Sequence, residues 1–147
     1  MITRSDGFSL LELMVVVGVI GVLLLIAIPL YSKYSDSANM GIVNQHYQEA
    51  IRMAKGEQLK NSTALAIRST RVAPTTAADW IAAFGVNEVA PGGGPAYVPV
   101  VLGDAGTGAV GIGSLSPTSV SIARPAYLDL DAYQAIVENG RVNEAKL

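Results

Sequence analysis

A single ionisable carboxylate, Glu12, stands inside an apolar run that begins at Phe8 and reaches Leu30 with no other charge. A charge at the centre of a bilayer costs about 2.5–3.5 kcal/mol even on a lenient insertion scale, so an acid in such a run is a functional candidate by default. A carboxylate that becomes buried needs a cation beside it. Glu12 is therefore either a residue that pairs with a positive group or one that only marks the start of a helix.

The other candidates for chemistry are weaker. Asp104, Asp129 and Asp131 could offer oxygen ligands to calcium, but they lack the spacing of a dedicated loop. His46 is the only histidine, and a lone histidine on a helix is ordinarily solvated or packed, so no metal is expected there. Gly106-Thr107-Gly108-Ala109-Val110-Gly111 matches G-x-G-x-x-G, with Asp129 about 20 residues on. Gly113 and Pro117 follow at once, however, and leave no space for the helix of a dinucleotide fold; the glycines read as a strand connection. Asn61-Ser62-Thr63 fits a glycosylation sequon, a pattern common by chance. Tyr31, Tyr34 and Tyr47 read as packing residues rather than an electron path, and Trp80 as a core anchor rather than a ligand contact. No Ser/His/Asp set or carboxylate pair has a spacing that argues for catalysis, and no cofactor is expected.

The elements that must position these residues follow from composition and period. With 147 residues the chain has room for one modest domain plus a membrane segment. A net charge of −2 gives no electrostatic case for nucleic-acid binding. The absence of cysteine excludes disulfides, thiol chemistry and cysteine-based metal sites. Read as a helix, Phe8–Tyr31 runs about 36 Å, enough to cross roughly 30 Å of hydrocarbon with some tilt. That exceeds the apolar region of an ordinary cleavable signal peptide; a plain signal anchor is the other simple reading. Arg4 and the α-amine outweigh Asp6 before the run, which favours a cytoplasmic start and an exported remainder. Gly18, Gly21 and Pro29 interrupt the run. Glycine costs about 1 kcal/mol and proline about 3 kcal/mol against alanine inside a helix, which lipid-embedded helices tolerate by local adjustment.

Beyond Pro29 the pattern becomes amphipathic. Tyr31, Tyr34, Ala38, Val43, Tyr47, Ala50, Ile51 and Ala54 recur at three- and four-residue steps, so one helix face needs a partner. The helix is expected to run to Lys60 and stop at Asn61-Ser62-Thr63. Pro74–Gly85 reads as a short helix capped by Thr75 or Thr76 and ended by Gly85. Pro91–Pro95 reads as a turn. Strand-like runs follow at Tyr97–Leu102, Ala109–Ile112, Ser119–Ala123 and Tyr127–Leu130; Tyr133–Val137 fits strand or helix, and Asn139-Gly140 is a hairpin turn signal. A striped helix and a small antiparallel sheet can bury each other.

Gly7-Phe8-Ser9-Leu10-Leu11-Glu12, leading into the uncharged run, resembles the class III signal of type IV pilins: a short leader ending in glycine, then Phe-Ser-Leu-Leu-Glu. The resemblance is confined to the N-terminal segment that ends near Leu30. It implies an α+β pilin ladle, with leader 1–7, a long helix 8–60 whose part 8–31 is transmembrane segment and filament core, and a globular head 61–147. It implies cleavage between Gly7 and Phe8 by a prepilin peptidase, N-methylation of Phe8, and pairing of Glu12 with the Phe8 ammonium of a neighbouring subunit, which sets the axial register. It also implies loss of helical order between Gly21 and Pro29 in the filament; close packing at Gly18-x-x-Gly21 with a proline kink is the simpler account of those residues. Asp6 replaces the basic residue the family commonly has before the glycine, and the disulfide that closes a C-terminal loop in many bacterial pilins is missing. The function implied is that of a major pilin: a non-enzymatic subunit polymerising into a surface filament for adhesion, motility or DNA uptake. Its partners would be itself, the prepilin peptidase and methyltransferase, the inner-membrane assembly machinery, and membrane lipid before assembly. Its location would be the inner membrane first and the surface pilus afterwards. A type II secretion pseudopilin or minor pilin is the alternative, and a signal-anchored periplasmic binding domain the alternative from a different class.

Overall fold

Ser9 starts the first helix. Its hydroxyl accepts a hydrogen bond from the Glu12 N–H at 3.2 Å, the bond a serine N-cap makes. The computed structural model describes residues 7–85 and 87–147; the expectations placed on Arg4, Asp6 and the rest of leader 1–6 lie outside the described residues. Helix α1 spans Leu10–Ala66 and carries Pro29 within it. The chain divides into two units, one ending at Ser37 and one beginning at Ala38, and each is described by itself.

In the second unit α1 presents a buried stripe of Val43, Tyr47, Ala50, Ile51 and Ala54, continued by Glu57, Gln58, Asn61 and Ala64. The stripe begins at Val43, so Tyr31, Tyr34 and Ala38 do not belong to it, and both tyrosines are exposed. The helix also passes the expected stop at Lys60. Ser62 and Thr63 do not break it, because their hydroxyls donate back to the Leu59 carbonyl at 2.8 and 2.9 Å, a local bond that a helix interior accommodates. It ends instead in a Schellman turn. Ser69 N–H donates to the Ala64 carbonyl at 2.8 Å and Arg68 N–H to that of Leu65, with Arg68 in the left-handed region at φ 51°.

Helix α2 spans Ala77–Phe84. Thr76 caps it, Asp79 returns a bond to the Thr76 N–H at 2.9 Å, and Gly85 closes it at φ 66°. This capping box holds the Asp79 carboxyl below its usual range, chiefly through the Thr76 N–H. Trp80 and Phe84 point from α2 into the core and are buried.

The sheet has five strands in the order β1-β2-β3-β4-β5: β1 Tyr97–Val98, β2 Val110–Ser116, β3 Ser119–Arg124, β4 Tyr133–Glu138 and β5 Arg141–Lys146. From β2 to β5 it is an antiparallel meander. The sheet as a whole is mixed, because β1 pairs parallel with β2 through Tyr97↔Val110 and Val98↔Gly111. The expected strand Tyr97–Leu102 is cut after Val98: Pro99 lacks an N–H for a ladder, and Gly103, at φ 73°, turns the chain with its N–H on the Val100 carbonyl. Tyr127–Leu130 is a tight turn rather than a strand, with Leu128 at φ 52° and Leu130 N–H donating to Tyr127 O at 2.9 Å. Tyr133–Glu138 is a strand, and Asn139 and Gly140, at φ 50° and 78°, form the turn into β5.

One face of the sheet packs on α1 and α2 through Val110, Ile112, Val120, Ile122, Ala135 and Val137. The other face of β2 is covered by its own chain. A methyl group added at Gly111 would run into the Val100 carbonyl and the Gly103 backbone, and one at Gly113 into the Ser121 hydroxyl. Glycine at 111 is what lets the Val100–Gly103 turn lie flat on the strand.

Candidate membrane and assembly segment

Among the described residues nothing covers the apolar part of α1. Phe8 is 80% exposed, and the large apolar side chains from Leu10 to Leu30 are all exposed. α1 is the one helix among the described residues long and apolar enough to cross a membrane. Apolar surface of this extent is normally removed from water by lipid or by other chains.

Within it, Glu12 occupies the first turn of α1, where an acid is favoured by the positive end of the helix dipole. Gly7 and Phe8 precede the helix in open backbone. Methyl groups at Gly18 or Gly21 would meet nothing within 4 Å, so packing inside the chain does not explain those two glycines. Pro29 deprives Leu25 of a helical donor, yet the helix runs on through it.

Most of the remaining candidates have structural tasks; Asp129 is exposed in the turn after Tyr127. Asp104 holds its own turn, accepting from Gly106 N–H at 2.8 Å and the Thr107 hydroxyl at 2.9 Å; the Gly106 bond chiefly keeps its carboxyl below the usual range. Asp131 pairs with Lys146 at 2.6 Å on the surface. Among the described residues no group of three or more histidines or acids is placed to hold a metal. His46 is buried, its Nε2 3.2 Å from a Glu88 carboxylate oxygen, and its carbonyl accepts from the Tyr97 hydroxyl at 3.3 Å. Asn61 is buried, and its Oδ1 accepts from Arg71 Nε at 3.0 Å, so the folded sequon does not present its amide to solvent. Gly106–Gly111 runs from a turn into β2, with no helix behind it.

Three polar linkages escaped sequence reading. Gln58 donates to the Thr118 and Val137 carbonyls at 3.0 and 2.8 Å and accepts from Gly140 N–H at 2.8 Å, tying α1 to two strand turns. Buried Glu57 pairs with Arg71 and with Lys60, drawing the segment after α1 back onto the helix. Arg124 lies over the rings of Tyr47 and Tyr133 and donates to Asn44 Oδ1 at 2.6 Å. The available signal was positional: Glu57, Gln58 and Asn61 continue the three–four spacing of the apolar stripe, which marks them as buried polar groups with partners elsewhere.

Residues 2–28 match the family model described as the prokaryotic N-terminal methylation motif. This N-terminal segment is similar to the class III signal of type IV pilins. It is 36% identical over 56 residues to the type IV major pilin protein PilE1 of Neisseria gonorrhoeae, covering 38% of this chain and 30% of that protein. The same identity and length hold for a fimbrial protein of Neisseria meningitidis serogroup B, of which 29% is covered. The match thus spans less than a third of these relatives. No solved structure matches the chain. With its long apolar helix and small mixed sheet, the chain has a pilin-like α+β architecture.

Proposed function

We propose that this chain is a structural subunit, a major pilin, that polymerises into a type IV pilus for adhesion, motility or DNA uptake. The observation that carries the reading is that a methylation-motif signal leads straight into a helix segment whose apolar side chains are exposed all round. In this reading residues 1–7 are a leader, 8–31 serve as membrane anchor and later filament core at the start of the long helix, which runs on to Ala66, and the residues beyond it complete the head.

The subunit waits in the inner membrane as a single-pass protein. Prepilin peptidase cuts between Gly7 and Phe8, where glycine leaves the backbone open to attack at the membrane surface, and the new Phe8 amine is methylated. Glu12 lies four residues further on, in the first turn of α1. In a dry filament core its carboxylate requires a cation, and the Phe8 ammonium of a neighbour supplies it at one axial offset only. Gly18, Gly21 and Pro29 allow the segment to lose helical order when the filament forms. The inner-membrane assembly machinery drives insertion, and the role is structural rather than catalytic.

The test is mass spectrometry of surface filaments sheared from cells. An abundant peptide starting at N-methylated Phe8 is the expected result. Processed protein confined to the membrane would reassign the chain to the pseudopilins or minor pilins. An uncut N-terminus, or a cut beyond Pro29, would overturn the reading and leave a signal-anchored domain.

A further inference from the structure

Two apolar surfaces of the head lie at opposite ends of β2. At the start of the strand the Val100–Gly103 turn rests against Gly111 and exposes Val100, Val101 and Leu102 by 52%, 54% and 59%. At its end, where Ser116 leads into Pro117 and Thr118, a groove of about 310 Å³ opens between α1 and the two strand turns, with Leu59, Leu65 and Pro117 among its walls. Leu59 and Leu65 are 68% and 78% exposed. The strand from Gly111 to Ser116, about 17 Å long, lies between the contact of the turn and the start of the groove. Helix α1 runs between the same two ends, with Val43 beside Gly108 and Gln58 bonded at Thr118.

Lys55 stands at the rim of the groove. Next to the exposed turn is Asp104, whose carboxyl stays ionised because backbone and hydroxyl donors already hold it.

We propose that the groove of Leu59, Leu65 and Pro117 receives the Val100–Leu102 turn of a second copy of this chain, with Asp104 of that copy facing Lys55. The two surfaces differ, so the contact is heterologous. Repeated head to tail, such a contact builds a ring or an open helical filament rather than a closed dimer. The inference rests on the filament reading and adds to it a junction between heads that is independent of the Phe8–Leu30 helix.

The chain has no cysteine, so introduced thiols report without background. The experiment uses full-length chains carrying Leu59→Cys, Leu102→Cys or both, with filaments sheared and mildly oxidised. The double variant is expected to give a ladder of oligomers on a non-reducing gel, and each single variant only monomer. Abundant filaments of the double variant that stay monomeric would overturn the junction while leaving the pilin reading intact. A Leu59→Cys chain that crosslinks to itself, or to a different protein, would give the groove another occupant and overturn it as well. If wild-type cells yield no filaments, the filament reading fails and the junction with it. If only the double variant fails to assemble, Lys55→Glu decides: a severalfold fall in filament yield, restored by Lys55→Arg, supports the contact, and an unchanged yield rejects it.

Discussion

Glu12 and Gly111 make opposite demands at the residue scale: in the proposed filament the first needs a partner, whereas the second needs nothing at all beyond its Cα. Replacing Glu12 with alanine removes the only charge of the apolar run without shortening it. The expected outcome is normal membrane insertion with filaments abolished or severely reduced; electron microscopy showing wild-type filament numbers would reject the register role. Gly111→Ala places a methyl group against the Val100 carbonyl and the Gly103 backbone, neither of which is a flexible side-chain end. Overpacking of this kind costs about 1–3 kcal/mol. The turn has to lift off β2, so the thermal midpoint of the purified chain in detergent should fall by several degrees. Gly140→Ala makes a useful comparison, since it meets no atoms and tests only the cost of φ 78°.

Among the elements, α1 ends on a non-glycine residue in the left-handed region. A Schellman turn usually has glycine there, and Arg68 at φ 51° carries a Cβ that disfavours the conformation by about 1 kcal/mol. Arg68→Gly is therefore expected to raise the unfolding midpoint slightly, and a lower midpoint would mean that the arginine side chain contributes more than its backbone loses. The same element shows what a sequence can convey. Helix α2 was legible because its signals are local: Thr76, Asp79 and Gly85 sit at fixed offsets from one another. The apolar stem was legible for the same reason, as were the Asn139-Gly140 turn and strands β2 and β3, whereas β4 fitted strand or helix. The end of α1 was misplaced because Ser62 and Thr63 look like breakers until their hydroxyls find the Leu59 carbonyl. β5 went unseen because Arg141, Asn143 and Glu144 show no alternation of apolar residues; it is a strand because β4 offers it an edge. The parallel β1–β2 pair depends on a loop doubling back, and no local pattern encodes that. Of the candidate segment, the residue types and order were readable, whereas Gln58, Glu57 and Arg71 declare their roles only once the sheet is in place.

Taken whole, the head has a stability window bounded by its own ionisations. Asp79 and Asp104 are held below the usual carboxyl range by backbone donors. Their contribution is complete above the unfolded value of about 3.9 and is lost as pH falls through the lower folded values. Burial, the largest cause, raises Tyr47 and Tyr97, with Glu144 and Glu88 adding to it. Their contribution is complete below the unfolded value of about 10 and declines as pH climbs above it. The melting temperature of the chain in detergent should therefore be flat from about pH 5 to 9 and fall on both sides. A midpoint that rises between pH 9 and 11 would contradict the tyrosine assignment.

The Gln58 linkage has a consequence in time. Its three partners, Thr118, Val137 and Gly140, lie 60 to 82 residues downstream. A ribosome releases the helix well before it releases β4 and β5, and chains dominated by such distant pairings close slowly. Until the last hairpin emerges, Gln58 lacks two of these three partners, Val137 and Gly140, and the sheet that covers the stripe from Val43 to Ala54 is incomplete. Completion of the C-terminus is the event that commits the head, so a chain stalled short of Gly140 should remain open, protease-sensitive and in need of a chaperone.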